Sequence, residues 1–212
     1  MQGSKMLRGA LATLGVASLL ALSACAGDDG TTTEPSASTP SSSAAPSSST
    51  PPEPKKATPE GPAQNLVPPE LPEEAEEFSE EGFKAFIEYW YEAASYGIAT
   101  GDDSYVSQVS DEGCSGCTRI LNMIENIGQG GSEQWIVGGE MQATDIIAKL
   151  HGGQGENQTA YFTLRKFAGD AYGKDGLLDG GDNVLKDGVV KFEFDASYEN
   201  GAWLATRTAA RN

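Results

Sequence analysis

The sequence predicts an α+β fold in which N-terminal helices pack on a strongly curved antiparallel sheet of about four strands. Two observations on residue patterning carry this. Between Ser79 and Ile127 apolar side chains recur at helical spacing, and from Trp135 to Arg207 they alternate, with glycine runs at the change of period. A third observation sets the boundary: all eleven prolines, Pro35 to Pro72, precede residue 73, and every aromatic residue, Phe78 to Trp203, follows it. A segment without aromatic side chains cannot bury enough apolar surface to offset the entropy of ordering it. One domain of about 140 residues remains, enough for a single core.

The chain begins with Lys5 and Arg8, followed by an apolar run from Gly9 to Leu22. That run is shorter than the roughly 20 residues a membrane-spanning helix needs, and reads as a signal peptide over residues 1–24. Leu22-Ser23-Ala24-Cys25 closes it and resembles the lipobox of bacterial lipoproteins. The resemblance implies cleavage before Cys25, lipid on its sulfur and acylation of the new amino terminus; two or more acyl chains anchor stably. The expected location is the extracytoplasmic face of the cell membrane, with the membrane itself as partner through Cys25.

Residues 25–67 carry that lipidated cysteine and a Ser/Thr/Pro-rich tether with runs such as Ser41-Ser42-Ser43, expected to be disordered. Its reach is about 35 Å as flexible coil and roughly 130 Å if proline stiffens it. Residues 68–78 form an acidic lead-in; with Glu80 and Glu81 its carboxylates are expected to serve the following helix, calcium being the alternative. Residues 79–212 are the α+β domain.

Within the domain, Ser79 is a candidate N-cap for a helix bearing Phe83, Phe86, Ile87, Trp90, Ala94 and Ile98, with Gly101 as its stop. Asp102 is placed to cap a short second helix with Tyr105, Val106 and Val109. A third, from about Cys114 to Ile127, puts Cys117, Ile120, Leu121, Ile124 and Ile127 on one face and ends at Gly128, Gly130 and Gly131. Trp135 to Leu150 reads as one long strand, curved at Gly138-Gly139 and bulged where the apolar phase moves from Ala143 to Ile146. Ala160, Phe162 and Leu164 mark the next strand. Val190, Phe192, Phe194, Ala196 and Tyr198 mark a third, and Asn200-Gly201 turns into a last strand with Trp203, Ala205 and Arg207.

The aromatic helix, Cys114-Ser115-Gly116-Cys117, Trp135-Ile136-Val137-Gly138-Gly139-Glu140 and the closing strands resemble an uncharacterised domain of actinobacterial lipoproteins. The element order is similar to the cone-shaped folds of nuclear transport factor two and ketosteroid isomerase. That likeness implies helices over a curved sheet around an interior, and, in the isomerases, a carboxylate inside it acting as base. Such folds host enzymes, binders and adaptors alike.

Cys114 and Cys117 are read first as a structural disulfide, with thiol exchange and zinc as alternatives; no thioredoxin-like proline exists in the domain, and the single His151 cannot complete a zinc set. His151 sits beside Gly152-Gly153, in an expected exposed turn. Glu140 and Asp145 are the carboxylates placed to reach a cone interior. Gly180-Gly181-Asp182-Asn183-Val184-Leu185, within a glycine-rich connection expected to be a hairpin loop from Gly169 to Leu185, resembles half of one calcium-binding repeat. No catalytic residue, metal site or cofactor is assigned. Formal charge is −17, reaching −19 once Lys5 and Arg8 leave; a chain so acidic is a poor nucleic-acid partner. The expectation is a binding or adaptor module for an envelope protein or small apolar ligand, with a small cone-type enzyme as alternative.

Overall fold

In the computed structural model, which describes residues 52–129, 133–181 and 184–211, all within the unit Ser49–Asn212, Ser79 begins the helix against which the rest packs. Its Oγ accepts the Gly82 N–H at 2.9 Å, Glu80 and Glu81 occupy the first turn, and α1 runs Glu80–Thr100 until Gly101 at φ 79° reverses the chain. Asp102 Oδ1 accepts the Ser104 N–H at 3.0 Å and starts the single turn α2, Ser104–Ser107. α3 is Ser115–Gln129, its Cys117, Ile124 and Ile127 packing into the core. The leader, Leu22 to Cys25, the tether as far as Pro51, and Gly130, Gly131, Asp182 and Asn183 lie outside the described residues.

The strands are β1 (Gln134–Gly138), β2 (Met141–Lys149), β3 (Gln158–Lys166), β4 (Gly169–Gly173), β5 (Gly176–Leu177), β6 (Gly188–Glu199) and β7 (Ala202–Ala210). A four-stranded antiparallel sheet has the order β2-β3-β6-β7, as the sequence predicts. Register shifts at Thr144/Ile147 and at Asp195/Ala196 bend it. The first is the expected bulge, with Asp145 at φ 53°. The second was not anticipated: it turns Arg207 outward, where Glu193 and Asp195 bind it, and brings Thr208 inward.

A second sheet, β1-β4-β5, corrects two expectations. Trp135 to Leu150 is not one curved strand but two strands in different sheets, because Gly138 and Gly139 take φ 86° and 84°, which a strand residue does not adopt. A Cβ on Gly138 would lie 2.3 Å from the Ala168 carbonyl oxygen, so only glycine permits the turn. The Gly169–Leu185 connection is likewise more than a loop, since β4 pairs with all of β1, from Gln134↔Gly173 to Gly138↔Gly169.

The tether boundary at Val67 also needs correction. Residues 55–64 form a hairpin through Lys55↔Gln64 and Thr58↔Gly61, and the Trp135 indole N–H donates to the Thr58 carbonyl at 2.7 Å. Hydrogen bonding to the sheet, which composition cannot report, orders this proline-rich stretch.

The core lies between α1 and the inner face of the four-stranded sheet. Phe83 stacks on Trp203 at 4.6 Å, Trp90 meets Phe194 edge-on at 5.5 Å, and Tyr91 meets Phe162 at 5.4 Å. Each such fully buried side chain stabilises the fold by about 1.5–3 kcal/mol.

Candidate functional site

Aromatic side chains fill the space between α1 and the four-stranded sheet. Phe83, Phe86, Trp90, Tyr91 and Phe194 are all at most 1% exposed. Their polar atoms are used internally: the Trp90 indole donates to Ser110 Oγ at 2.9 Å, and the Tyr91 and Thr208 hydroxyls share a bond of 2.9 Å. Burial pushes the Tyr91 phenol well above its ordinary pKa, only partly opposed by the Thr208 bond. Among the described residues the buried polar side chains are Gln158, Thr163, Ser197 and Thr208, with no carboxylate among them.

The two carboxylates considered for that interior are elsewhere. Glu140 follows the Gly138-Gly139 turn and pairs with Lys56 at 3.1 Å, its side chain 48% exposed. Asp145 sits exposed in the β2 bulge. His151 occupies the expected exposed turn, and its backbone N–H donates to Gln158 Oε1 at 2.5 Å. Gln158, fully buried, also donates to the Gly153 and Glu156 carbonyls and so holds that turn from below; nothing in its sequence neighbourhood marks it for this.

The Cys114 and Cys117 sulfurs are bonded to each other, and neither residue has solvent access. A sealed pair lacks the exposed sulfur that thiol exchange requires, and the bond leaves no thiolate for zinc. Among the described residues no three His, Cys, Asp or Glu side chains converge. The acidic lead-in acts through its backbone: Glu73–Glu76 form a 3-10 turn, the Tyr198 hydroxyl donates to the Glu76 carbonyl at 2.5 Å, and the Trp203 indole to that of Glu77 at 3.0 Å.

Among the open clefts, one of about 550 Å³ lies beside Glu88, Glu92 and Glu140 on the outside of α1, and a groove of about 450 Å³, with the more apolar lining, lies between α3 and the β1-β4-β5 sheet. Arg119, Asn122, Met123, Asn126 and Ile127 line it from α3, and Gln134, Trp135 and Ile136 from β1. Ala171 of β4 joins them, with Leu178, Val184 and Leu185 from the chain after β5. Apolar atoms make most of the surface, and three primary amides and one guanidinium supply its polarity. Its size suits a small molecule or a side-chain cluster of a partner. The Gly169–Leu185 segment is thereby brought to a site whose other walls, α3 and β1, carry apolar patterns that mark them in the sequence only as core.

A sequence profile of the Family of unknown function (DUF6318) matches residues 52–209. No protein of curated function matches. Among solved structures, a proposed polyketide cyclase from Xanthomonas campestris pv. campestris is 15% identical over 63% of this chain and 92% of its own, with a TM-score of 0.35. A second, from Pseudomonas putida KT2440, is 15% identical over 59% and 90%, with a TM-score of 0.30.

Proposed function

The chain belongs to that family of unknown function, and we propose that it is a lipid-anchored extracytoplasmic binding module whose ligand or partner sits in the groove between α3 and the three-stranded sheet. The observation that carries the binding reading is the packed interior: general acid-base work needs a positioned carboxylate or histidine, and here aromatic rings occupy the inside, Asp145 and His151 are exposed, and Glu140, which edges two surface clefts, is half-exposed and paired with Lys56. The groove is the largely apolar concavity with a few convergent polar groups that a binding site requires. The anchor rests on Leu22-Ser23-Ala24-Cys25 after a short apolar run, and the tether would hold the module clear of the bilayer.

Filling the groove tests this. Ala171→Trp adds an indole to its wall. Crosslinking in intact cells is expected to recover a partner or ligand set with wild type that is lost with Ala171→Trp, provided the variant melts cooperatively. Identical profiles from wild type and a folded Ala171→Trp would remove the groove. Turnover of a small molecule abolished by Glu140→Gln or Asp145→Asn would replace binding with catalysis.

A further inference from the structure

The described lining of the groove differs in charge from the protein around it. The chain carries 31 Asp and Glu against 14 Lys and Arg, yet none of the described residues lining the groove is acidic and its one charged side chain is Arg119. Of the other described cations, Lys56, Lys84, Lys149, Lys174, Arg207 and Arg211 each face a carboxylate, Arg165 lies over the Phe167 ring and Lys191 donates to Thr163; Lys55, Lys166 and Lys186 have no carboxylate partner among the described residues, and none of them lines the groove. Arg119 has no such partner among the described residues. Asn122 and Asn126 follow it at helical spacing on the same face of α3, while Met123 and Ile127 line the groove beside them and Ile136 faces them from β1. One site thus offers a guanidinium and amide donors together with an apolar wall.

We propose that the groove binds a small amphipathic carboxylate, a single-chain acid of the fatty-acid type, with its apolar body along Met123, Ile127 and Ile136 and its carboxylate on Arg119. The inference rests on the groove being the binding site. A planar guanidinium meets a carboxylate through two parallel N–H bonds, a geometry that a point charge cannot supply. The overall negative charge does not forbid this, because at physiological salt charges beyond about 8 Å are screened and the local cation decides. A neutral apolar ligand would use the wall but leave Arg119 idle; a cationic one would face it unfavourably.

Calorimetric titration of the full exported chain carrying Cys25→Ser, with dodecanoate below its micelle concentration, tests the proposal. Dodecan-1-ol and dodecyltrimethylammonium serve as uncharged and cationic comparisons. Dodecanoate is expected to bind, to weaken by about tenfold or more in the surface variant Arg119→Gln, and to weaken with added salt, whereas dodecan-1-ol binds both chains alike. Equal dodecanoate affinity in wild type and Arg119→Gln, no dodecanoate binding at all, or preference for the ammonium overturns the proposal. If dodecanoate fails while Ala171→Trp still alters the crosslinked set, the ligand class is wrong and the groove survives; if Ala171→Trp is also silent, both readings fall.

Discussion

Gly116→Ala is the substitution whose cost follows most directly from the structure. Gly116 lies in the first turn of α3 between the bonded cysteines, and a Cβ there would sit 2.0 Å from the Thr208 carbonyl oxygen and 2.8 Å from its Cγ2. Ordinary contact begins at 3.4 Å, so helix and strand β7 would have to part by 1.4 Å, the difference of those distances. Neither side yields easily: the helix start is held by the Cys114–Cys117 bond, and Thr208 is buried with its hydroxyl on Tyr91. Overpacking of this kind costs about 1–3 kcal/mol. Breaking the Tyr91–Thr208 bond would add about 1–3 kcal/mol, and the better helix propensity of alanine returns about 1 kcal/mol. A net loss of about 1–5 kcal/mol, about 3 at its centre, lowers Tm by roughly 10 °C for a chain of this size. Urea unfolding without reductant is the assay, read as a lower midpoint at unchanged slope. Gly153→Ala is the control, because nothing lies within 4 Å of its would-be Cβ. A Gly116→Ala midpoint equal to wild type, with the disulfide intact, would refute the packing argument.

Cys25→Ala is expected to release the chain from membranes or block its processing, read by fractionation; a cleaved Cys25→Ala chain that stays with the membrane refutes the anchor. Cys114 and Cys117 should resist alkylation in native protein purified without reductant, and reducing them should cost about 2 kcal/mol given the short loop; two labelled thiols by intact mass contradict this. Deleting residues 26–51 should leave Tm unchanged, while a deletion continued through Val67 removes the Thr58 carbonyl from Trp135 and should lower stability by about 1–2 kcal/mol; equal Tm values for the two deletions would show that the hairpin contributes nothing. Tyr91 has a folded pKa raised above its unfolded value of 10.0, so its contribution is present below that pH and declines as pH rises above it, by at most about 1.4 kcal/mol per unit; a Tyr91→Phe chain with the same alkaline stability profile would show that another group governs it.

Local signals were legible wherever the physics is local. Ser79, the aromatic stripe and Gly101 delimit α1 because a cap, a periodic face and a left-handed stop act within a few residues. Asn200 and Gly201, at φ 55° and 83°, form the hairpin turn that their dipeptide announces. The break at Gly138-Gly139 was not legible because β1 finds its partner more than thirty residues later, in β4, and alternation on either side of the glycines looks continuous. Arg119, Asn122 and Asn126 lie off the apolar stripe that defined α3, and only the pairing of β1 with β4 builds the wall that faces them. The sequence therefore indicated which segments are ordered by their own side chains, and left unstated the site assembled by long-range pairing.

The same distinction explains how the proline-rich lead-in can be ordered at all. Three aromatic donors reach back to it: Trp135 to the Thr58 carbonyl, Tyr198 to that of Glu76 and Trp203 to that of Glu77. Each ring buries apolar area in the domain while its one polar atom needs an acceptor. A segment rich in proline meets that need economically, since a proline has no N–H requiring a partner and its fixed φ leaves less entropy to lose. At Thr58 the proline-bearing half of the chain thus meets the aromatic half directly, while Glu76 and Glu77 accept from the acidic stretch just past the last proline, Pro72. Because Trp135 also lines the groove, the hairpin that leads into the domain supports one wall of the proposed site, and its loss should be felt there as well as in Tm.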